Sequence, residues 1–200
     1  PLSVFANWEY RDCDVHRFAV KLTGPDADQY SEKDKLLSAR MHKAITVILF
    51  KLEGQKILRH PEFGMEDRLL LDKIDYENRC ITIGGVTYPL EDCDFPTVDK
   101  NDPYRLTDEE QEIVSELRTS FAHSPRLQEH MEFLYRVGSM YLCFNENLLY
   151  HGCIPLNEDG SFKEIEINGS CFHGRALYDI LESYIRKAFM GVSEREKTLG

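Results

Sequence analysis

Residues Gly138 to Phe162 read GSMYLCFNENLLYHGCIPLNEDGSF, and no other stretch of the chain indicates local structure as clearly. Met140 to Phe144 and Leu148 to Tyr150 are short apolar and aromatic runs. The residues between them, Asn145 to Asn147, favour turns, so the three segments together predict a β-hairpin. His151 then lies at the point where the second strand leaves the sheet.

The residues after His151 predict a loop with room for a ligand. Gly152 has no Cβ, so backbone or a ligand can approach closely at that point. Pro155 has no amide hydrogen to donate and therefore ends strand pairing. This is the geometry of a metal-ligand loop, although a single histidine after a strand is more often a core or surface residue than a ligand.

Helices are predicted on both sides of this hairpin. Ser31 and Asp34 form a capping-box pattern, and apolar residues from Leu37 to Leu52 follow at helical spacing until Pro61. This stripe, including Met41 to Leu52, is predicted to be core. Further helices are predicted after Thr107 with Glu110, from Ser124-Pro125 to a cap at Gly138, and from about Arg175 to Met190.

Strands are predicted outside the hairpin as well. Cys80 to Ile83 and Val86 to Leu90 flank the Gly84-Gly85 pair, which predicts a tight β-hairpin. Arg17 to Leu22 is a candidate strand that ends in a turn at Gly24-Pro25. Helices and antiparallel hairpins in this order predict an α+β fold.

Several segments carry a resemblance to a known family. The run from Tyr141 to Ile165, YLCFNENLLYHGCIPLNEDGSFKEI, resembles the class III fructose-1,6-bisphosphatases, bacterial enzymes with a calcineurin-like metallophosphatase core. Arg40 to Gln55, His130 to Cys143 and Phe172 to Phe189 are similar to segments of the same family in the same order. The resemblance spans nearly the whole chain.

The resemblance also exposes absences. Such phosphatases build a two-metal site from several Gly-Asp, Asn-His and Gly-His motifs around a middle histidine followed by glycine. This sequence contains only the middle element, His151-Gly152, and no Gly-Asp, Asn-His or Gly-His pair. We therefore expect an internal fragment of a longer enzyme that is inactive by itself.

The resemblance implies a partial metallophosphatase-like core, made of a hairpin plus helices, with a helical and β-hairpin insertion. The polar connection between Leu90 and Thr107 suggests the division: an insertion at about residues 25–105 and part of the core at residues 106–200. The implied parent activity is hydrolysis of the 1-phosphate of fructose 1,6-bisphosphate in gluconeogenesis, with two Mn²⁺ ions. His151, in a setting that resembles the family's, would bind one of the metals, for which imidazole suits Mn or Zn. Arg175, by its position at a helix start, is a candidate for binding substrate phosphate, and the alternative is an ordinary surface arginine.

Composition excludes several other classes of function. The 200 residues carry 35 acidic against 24 basic side chains, a net charge of −11, which argues against binding to a nucleic-acid backbone. No apolar run approaches the roughly 20 residues that a membrane-spanning helix needs. Six cysteines without Cys-x-x-Cys spacing indicate reduced thiols and a cytoplasmic protein.

Two rival sites are weaker. A structural zinc site would use a set with irregular spacing: Cys143, His151, Cys153, Cys171 and His173. Cys143 lies in an apolar strand and is expected to be a small buried hydrophobe. Cys153 as a catalytic nucleophile lacks an assignable Cys-His-Asp or Cys-His-Asn arrangement.

Two alternatives to the sugar bisphosphatase stay open. The first is a calcineurin-like phosphatase that acts on another phosphoester, because the surviving motif indicates metal and not sugar. The second is a noncatalytic assembly or regulatory module. An exposed apolar face would favour part of a larger enzyme, whereas a closed surface would favour the module.

Overall fold

The computed structural model describes residues 1–21, 23 and 29–191, and it is a mixture of helices and small antiparallel sheets. This confirms the predicted combination of α and β structure. The helices are α1 (Leu2–Glu9), α2 (Glu32–Arg59), α3 (Asp108–Ala122), α4 (Pro125–Val137) and α5 (Gly174–Met190). The strands are β1 (Ile74–Asp75), β2 (Cys80–Ile83), β3 (Val86–Pro89), β4 (Tyr141–Phe144), β5 (Asn147–Tyr150), β6 (Ile165–Ile167) and β7 (Ser170–Phe172).

The strands form three separate antiparallel sheets, ordered β1-β2-β3, β4-β5 and β6-β7. In each sheet a two-residue turn joins a pair of neighbouring strands, and both turn residues have positive φ, as in turns that match the twist of the strands. The turns are Gly84-Gly85, Asn145-Glu146 and Asn168-Gly169. The predicted hairpins at Gly84 and Asn145 are confirmed, and the third is additional.

The chain divides into two compact units, Pro1–Ser120 and Phe121–Gly200. The first contains α1, α2 and the three-stranded sheet, and the second contains α4, α5 and the two-stranded hairpins. The assignment of residues 25–105 to an insertion and of 106–200 to a phosphatase core stays a prediction.

Helix α2 begins as the sequence predicts. The Ser31 hydroxyl accepts a hydrogen bond from the Asp34 amide at 3.2 Å, and the Asp34 carboxylate accepts one from the Ser31 amide at 3.2 Å, which completes a capping box. Its buried face differs from the predicted stripe, because the side chain of Leu49 is 62% exposed whereas Lys43 and Lys51 are fully buried. The prediction that the whole stripe is core is therefore wrong at Leu49.

The two buried lysines are paired with carboxylates. Lys43 Nζ lies 2.8 Å from Asp92 Oδ2 and donates to the Asp14 carbonyl at 2.9 Å. Lys51 Nζ lies 2.7 Å from Glu110 Oε2, and both side chains are fully buried. The pairing explains why α2 can turn charged residues inward, since a buried charge without a partner is strongly unfavourable.

The apolar core of the first unit lies between α1, α2 and α3. A buried cluster comprises Phe5, Ala6, Tyr10, Ala44, Val47, Ile48 and Ile113. A smaller cluster below the end of α2 comprises Ile57, Leu69, Leu71 and Tyr104. Gly54 of α2 is needed there, because a Cβ at this position would fall inside the Tyr104 ring.

The predicted strand at Arg17 to Leu22 is wrong within the described residues. His16–Phe18 form a short 3₁₀ helix, and residues 19–21 pair with no strand. Leu22 and the predicted Gly24-Pro25 turn lie outside the described residues. The segment continues a turn instead, because the Asp14 carboxylate accepts a hydrogen bond from the His16 amide at 3.0 Å.

Candidate functional site

The hairpin β4-β5 carries the predicted ligand His151. Tyr141 pairs with Tyr150 at its open end, and Phe144 pairs with Asn147 beside the turn. The turn is formed by Asn145 and Glu146 alone, so Asn147 belongs to the second strand and not to the turn. His151 follows Tyr150 directly, which confirms its predicted position at a strand end.

The His151 side chain is exposed and forms no hydrogen bond or ion pair with the part of the chain that the structure describes. Gly152 next to it has φ +95°, and a Cβ there would meet open space. Strand pairing of the hairpin already ends at Tyr150, well before Pro155, so the prediction that Pro155 ends it is wrong. The imidazole is therefore free to bind a ligand from solvent or from another polypeptide segment.

Helix α5 holds the chain on both sides of His151. The Tyr178 hydroxyl donates to the carbonyl of Cys153 at 3.2 Å. The Tyr178 ring packs against Tyr141 and Tyr150, with ring centroids 6.1 Å and 6.4 Å apart. One side chain thus contacts the residue before His151 and the backbone two residues after it.

The start of the hairpin is fixed by Glu182, one turn further along α5. Its Oε2 accepts hydrogen bonds from the Ser139 hydroxyl at 2.7 Å and from the Met140 amide at 3.0 Å. Its Oε1 accepts from Arg186 Nη2 at 2.8 Å. Arg186 also donates to the carbonyls of Tyr135 and Gly138, which end α4.

Replacing Glu182 with glutamine is expected to destabilise the second unit at neutral pH but not in acid. The hydrogen bonds from Ser139 and Met140 hold the pKa of Glu182 below its usual range. A carboxylate whose pKa is lowered in the folded protein adds stability at pH values above its unfolded-state pKa of about 4.3. This stability is lost as the pH falls through the folded-state pKa. We expect Glu182→Gln to lose about 1–3 kcal/mol at pH 7, since it weakens charge-assisted hydrogen bonds.

Urea unfolding at pH 7 and in acid, monitored on the second unit, checks this expectation. The matched control is Glu166→Gln, which changes an exposed carboxylate on β6. A Glu182 variant whose deficit is the same at both pH values would contradict the electrostatic origin of the effect.

Arg175 lies at the start of α5, as predicted, but its side chain has partners within the chain. Its Nε lies 3.5 Å from Asp179 Oδ2, and its guanidinium lies 5.7 Å from the centre of the Tyr141 ring. The side chain is 79% exposed. An exposed i,i+4 ion pair contributes little to stability, so it leaves Arg175 able to exchange Asp179 for a phosphate.

Tyr141 links this arginine to the hairpin. Its hydroxyl donates to Asp179 Oδ1 at 3.0 Å, and the pKa of Tyr141 is raised by desolvation and by this hydrogen bond. Tyr141 lies on β4 and pairs with Tyr150 on β5, the strand that leads into His151. Arg175 therefore lies over β4, the neighbouring strand. The structure shows no direct contact between Arg175 and His151.

The rival zinc site is not formed. Among the described residues, no group of three or more His, Cys, Asp or Glu side chains is placed to hold a metal ion. Cys143, Cys153 and Cys171 are exposed, so the expectation that Cys143 is buried is wrong. The hairpin explains this, because Cys143 lies on a strand whose side chains are largely open to solvent. His173 instead packs against Phe162, with ring centroids 6.0 Å apart.

The lack of such a group of side chains among the described residues also concerns the predicted binding of Mn²⁺. His151 offers the right donor atom, but among the described residues it belongs to no group of three or more potential ligands. They fit one position of a metal site and not a complete one, and they cannot by themselves hold a two-metal centre.

The β6-β7 hairpin was missed in the sequence. Its turn, Asn168-Gly169, is the dipeptide most typical of two-residue hairpin turns, and Ile165 to Ile167 and Ser170 to Phe172 flank it. Asn168 Nδ2 donates to the Tyr184 hydroxyl at 2.7 Å, which ties this turn to α5. The Asn-Gly pair was the signal that could have identified it.

One face of β4-β5 is apolar and uncovered. Tyr141 and Tyr150 face α5, whereas alternation along the strands places Leu142, Phe144 and Leu149 on the opposite face. These three side chains are more than half exposed.

No helix in the described part of the chain is both long and apolar enough to span a membrane.

Comparison with known proteins places the chain in a family of sugar-phosphate phosphatases. The model of the firmicute fructose-1,6-bisphosphatase family matches residues 1–199, and the chain belongs to this family. No solved structure matches.

The curated relatives are much longer than this chain. The class 3 fructose-1,6-bisphosphatase of Clostridium acetobutylicum is 50% identical over 189 residues, which cover 94% of this chain and 28% of that protein. The Clostridium tetani protein of the same name is 48% identical with the same coverage. The Bacteroides fragilis protein is 48% identical over 197 residues, which cover 98% of this chain and 30% of the relative.

Proposed function

We propose that this chain is part of a metal-dependent fructose-1,6-bisphosphatase that hydrolyses the 1-phosphate of fructose 1,6-bisphosphate. The observation that carries the proposal is the family match over residues 1–199, together with about 50% identity to class 3 fructose-1,6-bisphosphatases. The chain spans about 28% of the length of those relatives, so the activity is proposed for a longer polypeptide that contains it.

His151 is the proposed metal ligand. Its exposed imidazole at the end of β5 and the open space beside Gly152 support this role. Two Mn²⁺ ions in the longer protein would activate a water for in-line attack and neutralise the charge that develops on the phosphate. Within this chain His151 contributes one donor atom, so the chain alone is proposed to be inactive.

Arg175 is the proposed substrate-binding residue. A guanidinium can donate two parallel hydrogen bonds to a phosphate. The Arg175 side chain is highly exposed, and its ion pair with Asp179 is weak. Both observations support an arginine that can turn towards an anion. Its position over Tyr141 keeps it on the hairpin that carries His151.

The metallophosphatase-like core, the cytoplasmic location and the gluconeogenic role are proposed together with the activity. The hairpin and helices of the second unit support the core assignment by their order along the chain. The uncovered apolar face of β4-β5 favours part of a larger enzyme over a self-contained regulatory module.

Phosphate release from fructose 1,6-bisphosphate tests the proposal. It should be measured with Mn²⁺ for this 200-residue chain and for a polypeptide of the relatives' length that contains it. We expect only the longer protein to turn over. Activity of this chain alone would mean that a complete site lies among its own residues.

If neither protein is active on this substrate, the substrate assignment fails. A panel of other phosphate monoesters then separates the two alternatives. Metal-dependent release from another ester would identify a phosphatase of different specificity, whereas no release from any ester would favour a noncatalytic module.

A further inference from the structure

Tyr178 occupies an unusual position relative to His151. It is only 8% exposed, although it lies on α5 between the exposed residues Arg175 and Asp179. Its ring packs against the two tyrosines that pair at the open end of the hairpin, Tyr141 and Tyr150. Its hydroxyl reaches past them to the carbonyl of Cys153.

These contacts fix the backbone on both sides of a residue that has no anchor of its own. Tyr150 precedes His151 and Cys153 follows it by two residues, so only Gly152 separates His151 from the second anchor. Gly152 has φ +95°, a conformation that glycine adopts without strain but that it also leaves easily. Neither His151 nor Gly152 forms a hydrogen bond with the described residues, so the segment depends on its anchors at Tyr150 and Cys153.

We propose that Tyr178 is a positioning residue that sets the direction of the His151 imidazole by holding the chain before and after it. The proposal rests on the proposed metal role of His151. In this proposal Tyr178 makes no bond to the metal and acts through the backbone at Cys153. Groups that orient a metal ligand affect metal affinity or activity by about 10–100-fold, although they make no bond to the metal.

Tyr178→Phe isolates the hydroxyl, because the ring and its packing on Tyr141 and Tyr150 remain. The matched control is Tyr184→Phe on the same helix, which also removes one tyrosine hydroxyl that bonds to a loop. Tyr184 accepts from Asn168 in the β6-β7 turn, away from the His151 segment. A general effect of weakening α5 would change both variants, whereas positioning of His151 would change only the first.

The first measurement is the Mn²⁺ concentration for half-maximal activity of the longer protein that contains this chain. We expect Tyr178→Phe to raise it about tenfold, with the KM for the sugar bisphosphate unchanged, and Tyr184→Phe to leave it unchanged. An equal change in both variants, or a change in thermal stability alone, would overturn the proposal.

The second measurement needs no activity. Hydrogen–deuterium exchange in the same protein, read on peptides that span residues 148–156, should speed up in Tyr178→Phe and not in Tyr184→Phe. Unchanged exchange in Tyr178→Phe overturns the positioning role whether or not the protein is a phosphatase. If exchange changes as expected but no variant or parent releases phosphate, the proposed function fails while the anchoring of this segment stands.

Discussion

Replacing Glu110 with alanine is expected to lower the free energy of unfolding of the first unit by about 3–5 kcal/mol, because it leaves a buried lysine without its counter-ion. Lys51 and Glu110 are both fully buried, and Lys51 Nζ lies 2.7 Å from Glu110 Oε2. The remaining acceptor for Lys51 would be the Thr97 carbonyl, at 2.6 Å. A carbonyl oxygen carries no net charge and cannot replace the carboxylate.

The loss extends beyond the ion pair. The Thr97 hydroxyl donates to Glu110 Oε1 at 2.6 Å, and the Thr107 amide donates to Oε2 at 2.9 Å. The Tyr10 hydroxyl is hydrogen-bonded to that of Thr97 at 3.1 Å, and burial raises the pKa of Tyr10 well above its ordinary value. Removing the carboxylate therefore leaves several buried donors unsatisfied and removes the capping box at the start of α3.

Chemical unfolding at pH 7 measures this loss. The control is Glu109→Ala, one residue earlier in the same helical turn, where the side chain is exposed and the expected change is within about 0.5 kcal/mol. The double variant Lys51→Met with Glu110→Leu removes both charges and should recover much of the stability. Equal effects of the Glu109 and Glu110 substitutions would refute the role of the buried pair.

This network shows which part of the fold was predictable. Thr107 and Glu110 were identified as a capping box because the two residues are three apart and the pattern is local. The pairing of Glu110 with Lys51 joins residues 59 positions apart, and no local pattern reports it. Hydrophobic periodicity predicted that Leu49 is buried, because such a pattern takes lysines to face solvent. Lys51 faces inward instead, because it pairs with the buried carboxylate of Glu110.

The candidate site, too, was predictable only where its structure is local. Turn formers between two apolar runs were enough to place His151 at the end of β5, because a hairpin is a local structure. The anchors on α5 are more than 20 residues away, and no local pattern singled out Tyr178. Co-ligands for His151 were expected from motifs that this sequence lacks, and the described residues form no group of three or more potential metal ligands.

In a polypeptide of the relatives' length, His151→Ala is expected to reduce Mn²⁺-dependent phosphate release about 100-fold or more. This is the upper end of the effect known for groups that only orient a ligand, and removal of the ligand itself should reach at least that size. The fold should hardly change, because the side chain is exposed and has no partner among the described residues. The expected change in unfolding free energy is within about 0.5 kcal/mol.

Two measurements separate these effects: phosphate release across a series of Mn²⁺ concentrations, and thermal unfolding of the same preparations. The matched control is His130→Ala, which removes an exposed histidine from α4. If activity of the His151 variant returns fully at high Mn²⁺, the imidazole tunes affinity without completing the reactive centre. A variant that keeps full metal-dependent turnover at every Mn²⁺ concentration would show that His151 does not belong to the metal site.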